Sequence, residues 1–161
     1  MFAPHTVTLY NARRSRRFDD LPAFSVTVLE GVFLDLGPGK NTLGRKSELK
    51  KSGLAAIEDA VLFIPFSCKA VNGVTGQTQT FVPPKTFESL ENLDRVWTVG
   101  LRGSDAGTGC FFVTGRAVDP KLDFHSACRL FDGVFRVSSV LVRDFGSPRM
   151  RHWKVGGCAG P

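Results

Sequence analysis

The sequence has little of what catalysis draws on. Its three histidines, His5, His125 and His152, are too scattered to form a ligand set by local spacing. The four cysteines, Cys68, Cys110, Cys128 and Cys158, include no C-x-x-C pair, so zinc knuckles and thiol redox motifs have no support and free, mostly buried thiols are expected. No G-x-S-x-G elbow presents a nucleophile, although Ser104, Asp105 and Asp119 supply the serine and acid that a hydrolytic triad would use. The nearest approach to a phosphate loop is Gly39–Ser47, GKNTLGRKS. There Arg45 separates Gly44 from Lys46, where a P-loop needs glycine followed directly by lysine and then Ser or Thr. A P-loop also joins a parallel strand to a helix, and no strand–helix–strand alternation is visible. An enzyme, a cofactor and a metal centre are therefore not expected.

Two further shortages narrow the class. No stretch approaches the roughly 20 apolar residues that span a bilayer, and the N-terminus MFAPHTVTLYNARRSRRF has no apolar core of a secretory leader. Synthesis in a cytosol without membrane contact is the expectation. The chain has one tyrosine and two tryptophans against 14 phenylalanines. Phenylalanine fills cores, whereas Tyr and Trp are favoured where one end of the ring stays wet, so most aromatics are read as structural.

What remains is β-structure and positive charge. With 161 residues and 42% hydrophobic content, the chain can bury one core and is read as a single domain over 1–161. Short apolar runs alternate with Gly/Pro punctuation, which argues for an all-β barrel or sandwich with long loops and one or two short helices. Thr6–Tyr10 alternates, and Ser25–Leu36 places Val26, Val28, Val32, Leu34 and Leu36 on one parity, with a bulge expected at Glu30–Gly31. Ala60–Phe66 is a continuous apolar run that Pro65 confines to an edge or a strand end. Arg95–Arg102 and Cys110–Val118 are read as a pair around the glycine-rich loop Gly103–Gly109. Phe124–Phe131 makes two helical turns with Asp123 as N-cap, and Thr86–Leu90 adds one turn after Pro83–Pro84.

The best-marked element is Val134–Gly157, VFRVSSVLVRDFGSPRMRHWKVGG: two β-rich runs around Gly146, Ser147 and Pro148, the pattern of a long hairpin. Its turn region sets Arg143, Arg149, Arg151 and Lys154 against Asp144, so Arg143, Arg149, Arg151, His152 and Trp153 are candidates for a ring or partner interface. The net charge is +6, with an isoelectric point near 9.5, which favours acidic partners. The connection 37–58 lacks strand character and carries Lys40, Arg45, Lys46, Lys50 and Lys51, with a short helix possible at Ser47–Lys51. Arg13, Arg14, Arg16 and Arg17 form another basic run, followed by Asp19 and Asp20. Either run could touch DNA or RNA through phosphates, or be an ordinary solvated loop.

The order TVTLYN, VTVLEGVFL, basic RKSELKKSGL, DAVLFIPFS and closing VFRVSSVLVRDFGSPRMRHWKVGG resembles the small neck (connector) proteins of siphovirus-type tailed phages, above all the head-closure or stopper proteins. The resemblance runs from about Thr6 to Gly157 and is most specific in Gly146–Val155 and Val61–Ser67. It implies a virion protein made in the host cytoplasm. It further implies a small β-barrel forming a homo-oligomeric ring, a hexamer, between the portal or adaptor ring and the tail terminator or tail tube. On this resemblance the segment Gly37–Leu54 is the mobile loop facing the lumen, placing Lys40, Arg45, Lys46, Lys50 and Lys51 against packaged DNA in non-specific contact. The helix-like stretch 119–132 departs from the pattern. A tail terminator or adaptor ring of the same neck is a second reading, and an OB-like nucleic-acid-binding module a third. Phe111, Phe112 and Arg116 offer the last a thin aromatic–basic pattern.

Overall fold

The computed structural model describes residues 3–13, 24–36, 59–100 and 110–159. Within them the chain is almost entirely β: β1 (His5–Ala12), β2 (Phe24–Asp35), β3 (Ala60–Pro65), β4 (Lys69–Asn72), β5 (Thr80–Phe81), β6 (Val96–Trp97), β7 (Phe111–Thr114), β8 (Val134–Arg143) and β9 (His152–Ala159). Two short helices interrupt them, α1 (Pro84–Ser89) and α2 (Phe124–Leu130). The antiparallel pairings run β1–β2, β2–β3, β3–β9, β9–β8, β8–β7 and β7–β1, and so return to their start. The sheet is therefore a closed six-stranded barrel, the arrangement that removes free sheet edges. After the turn at Phe66–Cys68, β4 continues along β2, where Thr27–Glu30 take β4 and Phe33–Asp35 take β3.

Register shows which residues fill the barrel. Leu9 stands opposite Thr27 and Phe112, Phe112 opposite Phe135, and Val155 opposite both Leu62 and Val140. The expected bulge is present: His5 pairs with Val32 and Thr6 with Glu30, leaving Gly31 as the extra residue at φ +79°. Glycine meets the left-handed backbone at little cost. The bulge also corrects the single parity expected of this strand. A one-residue insertion turns later side chains over, so Val32 and Leu34 share the face of Leu29 and Thr27, while Val26 and Val28 lie on the other face with Tyr10 and Thr8. Both faces of β2 before the bulge are buried.

A second correction concerns β6 and β7, which do not pair with each other. β7 lies between β1 and β8, and β6 pairs in parallel with β5. The segment that holds β5 and β6 is tied to the barrel's inward polar groups. The Thr27 hydroxyl donates to Gln79 Oε1 at 2.6 Å, Asn11 Nδ2 to the Thr98 carbonyl at 2.6 Å, and Asn72 Nδ2 to the Asp94 carbonyl at 3.1 Å.

The outer face of β1 is covered instead by Gly115–Ala127. Thr8 Oγ1 donates to the Gly115 carbonyl and accepts from the Ala117 N–H, both at 2.8 Å. The Tyr10 hydroxyl donates to the Ala117 carbonyl and accepts from the Asp119 N–H at 3.1 Å, while its ring stacks on Phe111 with centroids 4.6 Å apart. α2 forms where the sequence places it. Asp123 accepts from the Ser126 N–H at 2.7 Å, and Phe124 and Ala127 are buried on one helix face. Burial in this layer raises the Tyr10 pKa above its usual value, with Asp119 acting in both directions through a backbone hydrogen bond and its charge. None of the described helices is long and apolar enough to cross a membrane.

Candidate functional site

The end of the β8–β9 hairpin is the part of the described chain least explained by the barrel. β7 accompanies β8 only over Val134–Arg136, whereas β8 runs on with β9 to Arg143. A bulge at Ser138, between the Val137–Gly157 and Ser139–Gly156 pairs, sets the outer half of the strand at a new angle. Leu141 and Val142, consecutive residues that point to opposite faces of a strand, are both exposed, at 46% and 61%. Phe145 (65%) and Met150 (59%) extend this apolar surface around the turn. β9 stays paired with β3 as far as His152, so the free part of the hairpin, its arm, is the outer end of β8 with the turn that follows, and its tip is hydrophobic.

The turn is built from local bonds. Gly146 adopts φ +85°, and the Met150 N–H donates to the Ser147 carbonyl at 2.8 Å across a short 3-10 turn at Pro148–Met150. Arg151 Nε lies 3.3 Å from Asp144 Oδ1, an exposed pair that clasps the base of the turn. Arg143 and Arg149 have no ion-pair partner among the described residues. Cationic groups therefore accompany apolar side chains exposed on both faces of the hairpin's outer end, a composition suited to docking on protein.

The hairpin candidates divide on inspection. Arg143, Arg149 and Arg151 surround the tip. His152 is half-buried, with Nδ1 2.7 Å from the Met150 carbonyl and its ring 5.7 Å from Phe63, so it belongs to the turn's own bonding. Trp153 is a correction: only 6% exposed, it packs against Phe66, Phe81 and Trp97 with centroids 4.3, 4.4 and 5.4 Å away and is a core residue. Its register with Ile64 points it inward, which its charged neighbours in sequence disguise. Leu141, Val142, Phe145 and Met150 were not among the sequence candidates. Lys40, Arg45, Lys46, Lys50 and Lys51 lie outside the described residues, as do Arg14, Arg16 and Arg17.

Other surfaces offer less. Phe111 and Phe112 are fully buried, which removes the base-stacking pattern they suggested with the exposed Arg116. A cleft of about 30 Å³ is lined by Asn11, Thr98, Phe87 and Cys110 among others, and Asn11 Oδ1 and Thr98 Oγ1 are buried there without hydrogen-bond partners among the described residues. Its volume falls short of the roughly 300–1,000 Å³ of small-molecule sites. Two of the thiols are poor nucleophiles: burial pushes Cys68 up to about 11 and raises Cys128 despite the nearby Arg136 charge. Among the described residues, no three His, Cys, Asp or Glu side chains converge to hold a metal.

A family model described as a family of unknown function (DUF6751) matches residues 2–158, so the chain belongs to that family. No curated protein and no solved structure gives a significant match.

Proposed function

We propose that this chain, as a member of that family, is a structural subunit of the neck of a siphovirus-type tailed phage, forming a ring that closes the portal channel and connects head to tail. The observation that carries the reading is the arm. The barrel closes through six pairings, yet β8 runs on beyond β7 to Arg143, so the outer end of the β8–β9 hairpin is where this wall is left open to contact. Here that projection bears four exposed apolar side chains and three arginines. The linear resemblance to head-closure proteins supplies the place, and the +6 net charge suits a subunit working beside packaged DNA.

In this reading the barrel is the rigid body of the ring and the arm makes its protein contacts. The basic segment 37–58 contributes cationic charge from every copy, so a modest charge per chain adds up around the axis. Contacts of that kind hold phosphates without reading bases. A tail terminator or adaptor ring of the same neck differs only in axial position. A cryo-electron microscopy map of the parent particle tests all of this together. Multiple copies, six on the resemblance, should surround the portal axis, and their level between portal and tail tube separates the three neck roles. A single copy, or a position away from the axis, ends the proposal.

A further inference from the structure

A closed ring constrains its subunit in a way that points to a second surface. Copies related by rotation about one axis meet head to tail, so each must carry two different patches that fit one another. Among the described residues nine large apolar side chains are exposed, and four of them, Leu141, Val142, Phe145 and Met150, are on the arm. Of the other five, only Leu130 (66%) and Phe131 (37%) adjoin in sequence. Phe66, Val74 and Leu90 are scattered, and Phe66 is packed on Trp153.

Leu130 and Phe131 form a shoulder at the end of α2, and helix geometry explains why it lacks cover. Phe124 and Ala127 put the apolar face of α2 onto the barrel, and Leu130 and Phe131, three and four residues beyond Ala127, continue that stripe. The helix ends there, with the Phe131 N–H bonded to the Ala127 carbonyl, and the chain turns into β8. The stripe therefore overruns the core that its first half covers. Asp132 follows directly and is exposed; along 119–132, Asp119, Asp123 and Asp132 outnumber Lys121 and Arg129. Shoulder and arm are thus both apolar at the centre; the exposed Asp132 borders the shoulder on one side and Arg129 on the other, while arginines border the tip.

Their separation makes the contact intermolecular. The shoulder precedes the first residue of β8 and the tip follows its last, and ten extended residues at roughly 3.3 Å each put them about 30 Å apart. One copy cannot join its own two patches, but successive copies can.

We propose that the ring is built head to tail, with the arm tip of one copy seated on the Leu130–Phe131–Asp132 shoulder of the next. The inference rests on the ring reading above, and the occupant is a second copy of this chain. The test replaces Phe145 with a photoreactive benzoyl-phenylalanine and irradiates both concentrated purified protein and the assembled particle. The expected product is a chain-to-chain cross-link whose peptide contains residues 130–132. A companion pair of charge reversals, Arg149→Glu and Asp132→Arg, should each weaken self-association by roughly tenfold, and the double variant should recover most of it. Circular dichroism checks that these exposed substitutions leave the fold intact. If multiple copies assemble but the cross-link lands elsewhere, or the reversals fail to compensate, the docking mode is wrong and the ring stands. A cross-link to a different protein likewise overturns it. If the particle holds one copy, the ring reading itself falls and this inference goes with it.

Discussion

Tyr10 is the one tyrosine of the chain and is fully buried, which makes it both a structural pin and a private spectroscopic probe. Removing its hydroxyl in Tyr10→Phe keeps the ring stacked on Phe111 but deprives the Ala117 carbonyl of its donor and the Asp119 N–H of its acceptor. Ala117 is buried, so its carbonyl bears a desolvation cost of about 1–3 kcal/mol, whereas the exposed Asp119 side is partly rehydrated. A loss of about 2 kcal/mol is expected. With an unchanged urea m-value near 2 kcal/mol/M, that moves the midpoint down by about 1 M. Alkaline titration gives an independent check. Burial raises the folded pKa above the ordinary 10.0, so the native state holds its proton where the unfolded chain has lost it. The resulting stability is complete below pH 10 and drains away as pH rises through the folded value. Phenolate absorbance should therefore appear together with loss of the β circular dichroism signal, above pH 10. A loss under about 0.5 kcal/mol in Tyr10→Phe, or a phenolate titrating near pH 10 in a chain that stays folded, would refute the reasoning.

Other positions give sharper local tests. Gly157→Ala places a methyl 2.8 Å from Phe135 Cβ and 2.9 Å from Phe112 Cζ, and should cost about 1–3 kcal/mol in urea unfolding; a neutral effect would mean the barrel wall there is looser than described. Asp123→Ala removes the cap of α2 and should cost about 1 kcal/mol at neutral pH. Because Asp123's pKa is lowered by its bond from Ser126, that difference from the parent protein should vanish as pH falls through the folded value, and a pH-independent difference would point to another cause. Cys68, with its thiol pushed up to about 11 from an ordinary 9.0, contributes stability that is full below pH 9 and falls away between pH 9 and 11. Cys68→Ala should flatten that part of the stability–pH curve by no more than about 2.7 kcal/mol, and an unchanged slope would count against a buried thiol.

The β-content was legible because strand periodicity and turn residues agree along most of the chain, and Gly31 and Asp123 marked a bulge and a helix start in the expected places. What the pattern hid was non-local. Nothing near Phe111 says that its strand will lie against β1, about a hundred residues earlier in the chain, so local pattern pairs it with the nearest apolar run instead. The same blindness affected the arm. Its arginines stood out, but Leu141 and Val142 read as ordinary strand residues, because their exposure depends on β7 ending at Thr114. Trp153 erred the other way: it sits among charged neighbours in sequence, and only its register with Ile64 turns it into the core.

The place of β9 in the barrel has a consequence for biosynthesis. It is the last barrel strand in chain order, yet it fits between β3 and β8 and joins the two halves of the wall. A ribosome adds about 5–20 residues per second, so seconds pass in which both receiving strands are made and their partner is not. During that interval β3 stands outside the ribosome with one edge unsatisfied while β8 and β9 still emerge, a state open to chaperone capture or to pairing with another nascent copy. Slower elongation or lower temperature while β9 emerges should thus alter the yield of folded protein more than the same change applied earlier. Rare-codon placement just upstream of His152 would be a direct handle on that sensitivity.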